Sequence, residues 1–170
     1  MKKILISAIL TSVAIGLISV AGCGQGYQNS WPYPTEVQTV YVEMFDTSSF
    51  RRGHEYVLTD AICKRIEAQT PYKIVSDRNI ADSVLSGNMG ISTSILATDY
   101  YSGRPIENET LVNVKVIWKN LKTGELLISG EKVYASGSYS QPLGQTFEYS
   151  VNRAVNKAAV RVVELMETPW

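Results

Sequence analysis

From Ser83 to Ala97 the chain reads SVLSGNMGISTSILA, and its character alternates with a period of two. Leu85, Gly87, Met89, Ile91, Thr93 and Ile95 fall on one face, and Val84, Ser86, Asn88, Gly90, Ser92 and Ser94 on the other. A run of this length and period is a half-buried β-strand, apolar on one side and wet on the other. Such a strand needs partner strands along its edges and a second layer over its apolar face. The rest of the sequence has to supply both.

Partners are legible on either side. Val37–Phe45 (VQTVYVEMF) alternates, with Gln38, Val40, Val42 and Met44 expected toward a core. A short strand is expected at Tyr72–Val75, followed by a turn over Ser76–Ala81. Asp99–Glu109 contains Gly103-Arg104-Pro105 and reads as a connecting loop. Leu111–Lys119 alternates again, with Val112, Val114, Val116 and Trp118 inward. Asn120–Glu125 (NLKTGE) is a hairpin turn, and Leu126–Ser136 is the returning strand, with Gly130 a candidate bulge. Gly137–Gly144 reads as a loop.

Two helices supply the covering layer. Over His54–Gln69, Leu58, Ala61, Ile62, Cys63 and Ile66 share one broad side, with Asp60, Lys64 and Glu67 opposite. Pro71 stops this helix. Over Thr146–Glu167, Phe147, Val151, Ala154, Val155, Ala158, Val162, Leu165 and Met166 form a stripe, and Pro169 ends the helix. The expected fold is α+β: a two-layer sandwich in which a mixed, mostly antiparallel sheet of about four strands packs on two helices. The other sheet face carries Asn, Ser and Lys, so it can face water or a polar partner such as a barrel interior.

The N-terminal segment decides the compartment. Met1-Lys2-Lys3 precedes an uncharged run from Ile4 to Gly22, the two parts of a secretory signal. Ser7, Thr11, Ser12, Gly16 and Ser19 dilute that run, and no basic residue follows it to act as a stop signal. Val20-Ala21-Gly22-Cys23 resembles the bacterial lipobox, which implies a diacylglyceryl group on the Cys23 sulfur and cleavage before it. Gly24 resembles the sorting position that favours transfer to an outer membrane. The expected organisation is a signal peptide at 1–22, a lipidated tether at 23–36 and one α+β domain at 37–170. The tether is rich in Gly, Pro, Asn and Tyr, which excludes a regular helix or central strand. Trp31 and Tyr33 are its candidates for packing on the fold.

Charge and side-chain inventory narrow the function. Removing Lys2 and Lys3 from the 16 Lys and Arg leaves 14 against 16 Asp and Glu, a formal charge of −2. A domain this close to neutral has no global basic field for nucleic acid. With Cys23 assigned to lipid, Cys63 has no partner and is expected to act as a small hydrophobe. His54 is the one histidine, and no Gly-x-Ser-x-Gly elbow accompanies it. One His and one thiol do not make a metal site. Asp77 and Asp82 flank a turn, where carboxylates cap or shape the chain. Gly87-x-x-Gly90 lies in a strand and is no phosphate loop. The reading is a non-enzyme with no cofactor and no metal.

Several stretches together resemble one family. VYVEMFDTSS followed by YVLTDAICKRIE is similar to the first strand and helix of the lipopolysaccharide-assembly lipoproteins, LptE. YKIVSDRNIADSVLSGNMGIS resembles the next segment, with Ala81-Asp82 ahead of Leu85-Ser86-Gly87, and LVNVKVIWKNLKTGELL resembles the family's long hairpin. The match runs from Val37 to Leu165 in element order. It departs at the tether, where the family's Cys-Gly-Tyr is interrupted here by Gln25-Gly26 before Tyr27. The resemblance implies a plug inside the lumen of the outer-membrane barrel LptD that helps the barrel fold and contacts lipopolysaccharide.

Lipopolysaccharide presents phosphates, and Arg offers the planar fork that matches them. Arg104, in the loop Tyr101-Ser102-Gly103-Arg104-Pro105, is the first candidate contact. Lys122, in the NLKTGE turn, is the second, although antiparallel pairing puts it at the opposite end of the sheet. A competing class is a regulatory outer-membrane lipoprotein that binds and activates a cell-wall synthase. That role needs a long linker, and a flexible chain spans only about 5–6 Å × √n, so residues 24–36 are too few. A further lipoprotein of similar fold but other function is the third class.

Metabolic labelling with a fatty-acid analogue should mark the wild-type protein and leave Cys23→Ser unlabelled. Equal labelling of the two would remove Cys23 as the acceptor.

Overall fold

The computed structural model describes residues 32–167. The signal peptide, Cys23, Trp31 and Pro169 lie outside the described residues. The elements are β1 (Thr39–Val42), β2 (Asp46–Thr47), α1 (His54–Gln69), β3 (Lys73–Ile74), β4 (Ser83–Thr98), β5 (Pro105–Asn120), β6 (Leu126–Tyr139) and α2 (Phe147–Glu164). Short 3₁₀ turns at Arg78–Ile80 and Gln141–Leu143 lead into β4 and α2. The strands form one mixed sheet in the order β3-β1-β4-β5-β6, with β2 also paired to β4. The parallel pairings of β1, β2 and β3 are short, whereas β4, β5 and β6 form long antiparallel ladders. Two helices cover one face, so the α+β sandwich holds with six strands rather than about four.

The core lies between the helices and the proximal half of the sheet. Val112, Val114, Val116 and Trp118 of β5 are all buried, as the alternation requires. Leu58, Ile62 and Ile66 of α1 and Val151, Ala154, Val155, Ala158 and Val162 of α2 meet them in one cluster. The Trp118 indole N–H donates to Ser83 Oγ at 3.0 Å, so the largest buried side chain leaves no polar atom unpaired. Tyr72 packs edge-on against Trp118 and Tyr33 edge-on against Tyr72, with centroids 5.5 and 5.9 Å apart. Tyr33 is thus packed on the fold, 7% exposed.

Helix ends follow local chemistry. Thr146 caps α2 by accepting from the Tyr149 N–H. Gly53 at the N-cap of α1 has φ 101°, and Glu55 reaches back to accept from its N–H at 2.8 Å. Near the start of α2 the helix presses on the sheet. A Cβ at Gly137 would stand 2.4 Å from Ser150 O. The buried hydroxyls of Thr110 and Ser150 pair across the same spot at 2.7 Å.

Four expectations need correction. The first strand does not alternate to its end. Val37 and Phe45 are buried, while Gln38 is exposed and Met44 is 49% exposed. For Met44 and Phe45 the register gives the cause: Val42 pairs with Leu85 and Asp46 with Asn88, so four steps on this side match three on β4. The extra residue reverses the faces. It also frees the Phe45 N–H, which donates to the buried Thr59 Oγ1 at 3.2 Å.

Second, Pro105–Glu109 is strand and not loop; the ladder continues to Thr98 opposite Pro105. Third, β6 runs on through Tyr139, so the loop after it starts later than Gly137. Fourth, β4 is half-buried only as far as Ile91, and from Ser92 to Leu96 every residue is exposed. The Gly130 expectation holds: its φ is 75°, and the pairing skips it between Val116–Glu131 and Ile117–Ser129.

β6 forms one edge of the sheet. Lys157 of α2 donates to Ser136 O at 2.9 Å, and Arg161 donates to Tyr134 O. Two successive outward carbonyls of that edge are therefore occupied by side chains of the protein itself.

Val155 is fully buried at the sheet–helix interface. Val155→Asp places an unpaired charge there and should cost about 3–5 kcal/mol, read as a lower urea midpoint. An unchanged midpoint would show that the α2 stripe does not face the core.

Candidate functional site

Strand and helix lengths set what the surface can offer. β4 and β5 have 16 residues each, about 50 Å. α1 has 16 residues and α2 has 18, only about 24–27 Å. The helices therefore cover about half the sheet. The far ends of β4, β5 and β6 extend past them as an arm, in which β6 stays paired to β5 as far as Tyr139 opposite Asn108. Gln141 and Pro142 line a hollow there with Arg104 and Ile106, and the second face stays open.

The arm carries Arg104. It lies in the turn Asp99–Arg104, and it is exposed. The Asp99 carboxylate shapes this turn by accepting from the N–H groups of Ser102 and Tyr101 and from Ser102 Oγ. The Ser102 N–H is the main cause that holds the Asp99 carboxyl below the usual carboxylate range. Its charge is thus spent within the turn, which leaves Arg104 as the outward charge there. Tyr100 and Tyr101 stand more than 90% exposed beside it, and Ile95 and Leu96 are exposed on opposite faces of the strand. Sequence reasoning placed Arg104 correctly in a connecting turn but missed this apolar setting. The signal was available: no helix in the sequence is long enough to cover so long a strand.

Lys122 sits at the other end of the sheet, in the β5–β6 turn. Its ammonium is 2.5 Å from Asp82 Oδ1. Asp82 also accepts from the N–H groups of Gln38 and Thr39 at 3.0 and 2.9 Å. Its own N–H donates to Thr39 Oγ1 at 2.8 Å. One carboxylate thus ties the start of β1, the start of β4 and the β5–β6 turn together. The Lys122 ammonium, followed by those backbone N–H groups, holds the Asp82 carboxyl well below the usual carboxylate range. The structure does not bring Arg104 and Lys122 together, and it gives Lys122 a structural partner.

The other reactive side chains are also engaged. His54 is buried at the start of α1, with Phe147 edge-on to its ring and Nε2 3.9 Å from Glu148 Oε2. Arg51 stacks over the same Phe147 ring, with its guanidinium carbon 3.8 Å from the centroid. Cys63 is half-buried, and burial, then Asp60 and Glu67, push its thiol up, away from the nucleophilic thiolate. Among the described residues no group of three or more His, Cys, Asp or Glu side chains could hold a metal ion. No helix among them is long and apolar enough to cross a membrane.

The open face is polar and shallow. One trough is lined by Glu43, Met44, Asp46, Asn88, Lys115 and Ile117. A second is lined by Asn88, Asn113, Lys115, Lys132 and Tyr134. Asn88 and Lys115 belong to both, so the two form one surface across the middle of the sheet.

No family model matches the chain, and no curated protein matches it. Solved structures do share the fold. Uncharacterized lipoprotein B from Nitrosomonas europaea is 15% identical, with a TM-score of 0.58, over 82% of this chain and 88% of that one. The minor lipoprotein from Acinetobacter baumannii is 13% identical, with a TM-score of 0.51, over 78% and 92%. PelC from Paraburkholderia phytofirmans, solved as a dodecamer, is 12% identical, with a TM-score of 0.51, over 82% and 96%. At these identities the likeness is one of fold.

The Asp82 clamp has a pH signature. A carboxyl held below its ordinary range contributes stability at neutral pH and loses it as pH falls through that range, from about pH 5 downward. Asp82→Ala should lose roughly 1–3 kcal/mol at pH 7, with a smaller gap from wild type at pH 3. A gap of equal size at both values would mean that the charge contributes nothing.

Proposed function

We propose that this chain is an outer-membrane lipoprotein, held on the periplasmic side by acyl chains on Cys23. It serves as structural plug and assembly subunit of a lipopolysaccharide translocon built on an LptD-like β-barrel. Its role is non-catalytic, and it needs no cofactor. The observation that carries this reading is the sheet itself: one face is covered by helices over its base, and the other is open, polar and broad. A barrel lumen is lined by polar side chains, and a domain that fills one must present polar surface to it.

Two further findings support the reading. The LptE-like stretches coincide with β1, α1, β4 and the β5–β6 hairpin, so the resemblance follows the architecture element by element. The fold is also that of uncharacterized lipoprotein B and the minor lipoprotein. Arg104 is the lipopolysaccharide contact in this scheme. It stands at the tip of the arm with exposed tyrosines beside it, so a phosphate and an acyl or sugar surface can be met together.

The tagged full-length protein, purified from outer membranes in mild detergent, should bring a large β-barrel with it. Arg104→Asp should preserve the fold and that association while lowering lipopolysaccharide capture at moderate salt by roughly tenfold. Undiminished capture by the folded variant would take Arg104 out of the contact, and the absence of any barrel with wild type would refute the plug.

A further inference from the structure

The outward residues at the middle of the sheet form two rows across the strands. In one, Asp46 lies opposite Asn88, Asn88 opposite Lys115, and Lys115 opposite Lys132. In the next, Gly90 lies opposite Asn113, and Asn113 opposite Tyr134. Like charges placed directly across a strand pair destabilise a sheet. Neither Lys115 nor Lys132 forms an ion pair among the described residues. The protein therefore places two lysines directly opposite each other on β5 and β6, with the carboxylates of Glu43 and Asp46 along the same trough as Lys115 but paired with neither lysine.

The surface around the pair is low. Lys115 lies across Gly130, where a Cβ would stand 2.9 Å from its Cε. Asn113 lies across Gly90, where a Cβ would stand 2.7 Å from its Oδ1. A glycine within a strand marks a bulge, as at Gly130, or a close approach, and here each gives room for a long polar side chain to lie down. The result is broad and shallow, unlike the concave pockets that enclose small ligands. Its chemistry asks for a flat partner with carboxylates.

Resting on the translocon reading, we propose that the face bearing Lys115, Lys132, Asn113 and Tyr134 is the one that packs against the inner wall of the barrel. The lysine pair meets Asp or Glu side chains on a barrel strand. A barrel wall is itself a sheet whose lumenal side chains are polar, and two sheets pack face to face at about 10 Å when their side chains are low. Opposite charge across the contact fixes the register and the side of the plug that meets the wall.

The test uses the full-length lipidated protein from outer membranes. Lys115→Gln with Lys132→Gln removes both charges while retaining polar side chains. The double variant should melt at or slightly above the wild-type temperature, since repulsion is relieved. It should lose at least about tenfold of the barrel retained by wild type as salt in the wash is raised. A photo-crosslinking residue in place of Asn113 should yield an adduct with the barrel that maps to a strand bearing Asp or Glu. The same residue in place of Glu67, on the exposed side of α1, should not. If wild type and the double variant retain the barrel equally, or the adduct forms only from Glu67, the proposed face is wrong and the plug reading stands. An adduct with a second copy of this chain also overturns the proposal. If wild type retains no barrel, the plug reading falls first and this surface with it.

Discussion

The molecule is governed by a mismatch of lengths. A 16-residue strand spans about 50 Å, whereas an 18-residue helix spans about 27 Å. Two helices laid along β4, β5 and β6 can bury only part of the sheet's apolar face. Burial follows that limit: Leu85 and Met89 are fully buried, Ile91 is partly covered, and Ile95 is exposed on the same face. The division into a packed base and a projecting arm is therefore a consequence of geometry. The arm keeps its shape because its backbone is paired along the β4–β5 ladder, which needs no covering layer to satisfy N–H and C=O groups.

Within the packed base, polar groups fix the chain where apolar packing alone would allow slippage. β1 pairs with β4 over only three residue pairs, too few to set register by ladder bonds alone. Asp82 supplies the missing constraint by bonding both Gln38 and Thr39 backbone N–H groups while holding Lys122. Thr59 does the same for the bulged segment by taking the Phe45 N–H. Ser83 joins the two systems: it accepts from the Trp118 indole and donates to Thr39 O at 3.2 Å. Each of these side chains is short and largely buried, so each costs little conformational entropy to hold in place.

The regular elements were legible because their periodicity is strong. The His54–Gln69 helix, the inward valines of β5 and the Gly130 bulge all follow from spacing and residue type. The failures share one origin, which is that periodicity reports faces but not what covers them. Ile95 alternates as well as Leu85, yet only Leu85 has a helix above it. Met44 and Phe45 swap places because an inserted residue in a short parallel strand leaves no mark in composition. Pro105 reads as a loop residue, but at the first position of a strand its missing N–H is tolerated. Arg104 could be placed in a connecting turn from sequence, and Lys122 could be placed in a hairpin turn. That Lys122 is paired with Asp82 could not, because the two are brought together only by the pairing of β4 with β5.

The edges of the sheet bear on how such a domain can associate. A free edge strand is the simplest route by which one β-protein adds to another. On β6 that route is obstructed, since Lys157 and Arg161 occupy the outward carbonyls of Ser136 and Tyr134. At the other edge β3 has only two residues, too short to template a partner strand. β6 and β3 are thus blunted, whereas β4 beyond Met89 has no partner strand on its β2 side, so the sheet can associate through its open face and through the arm, this stretch of β4 included. Surface contacts are read by side chains, and side chains diverge freely under a constant fold. That is why this architecture can be shared by structures at only 12–15% identity, where the fold carries over and the surface side chains need not.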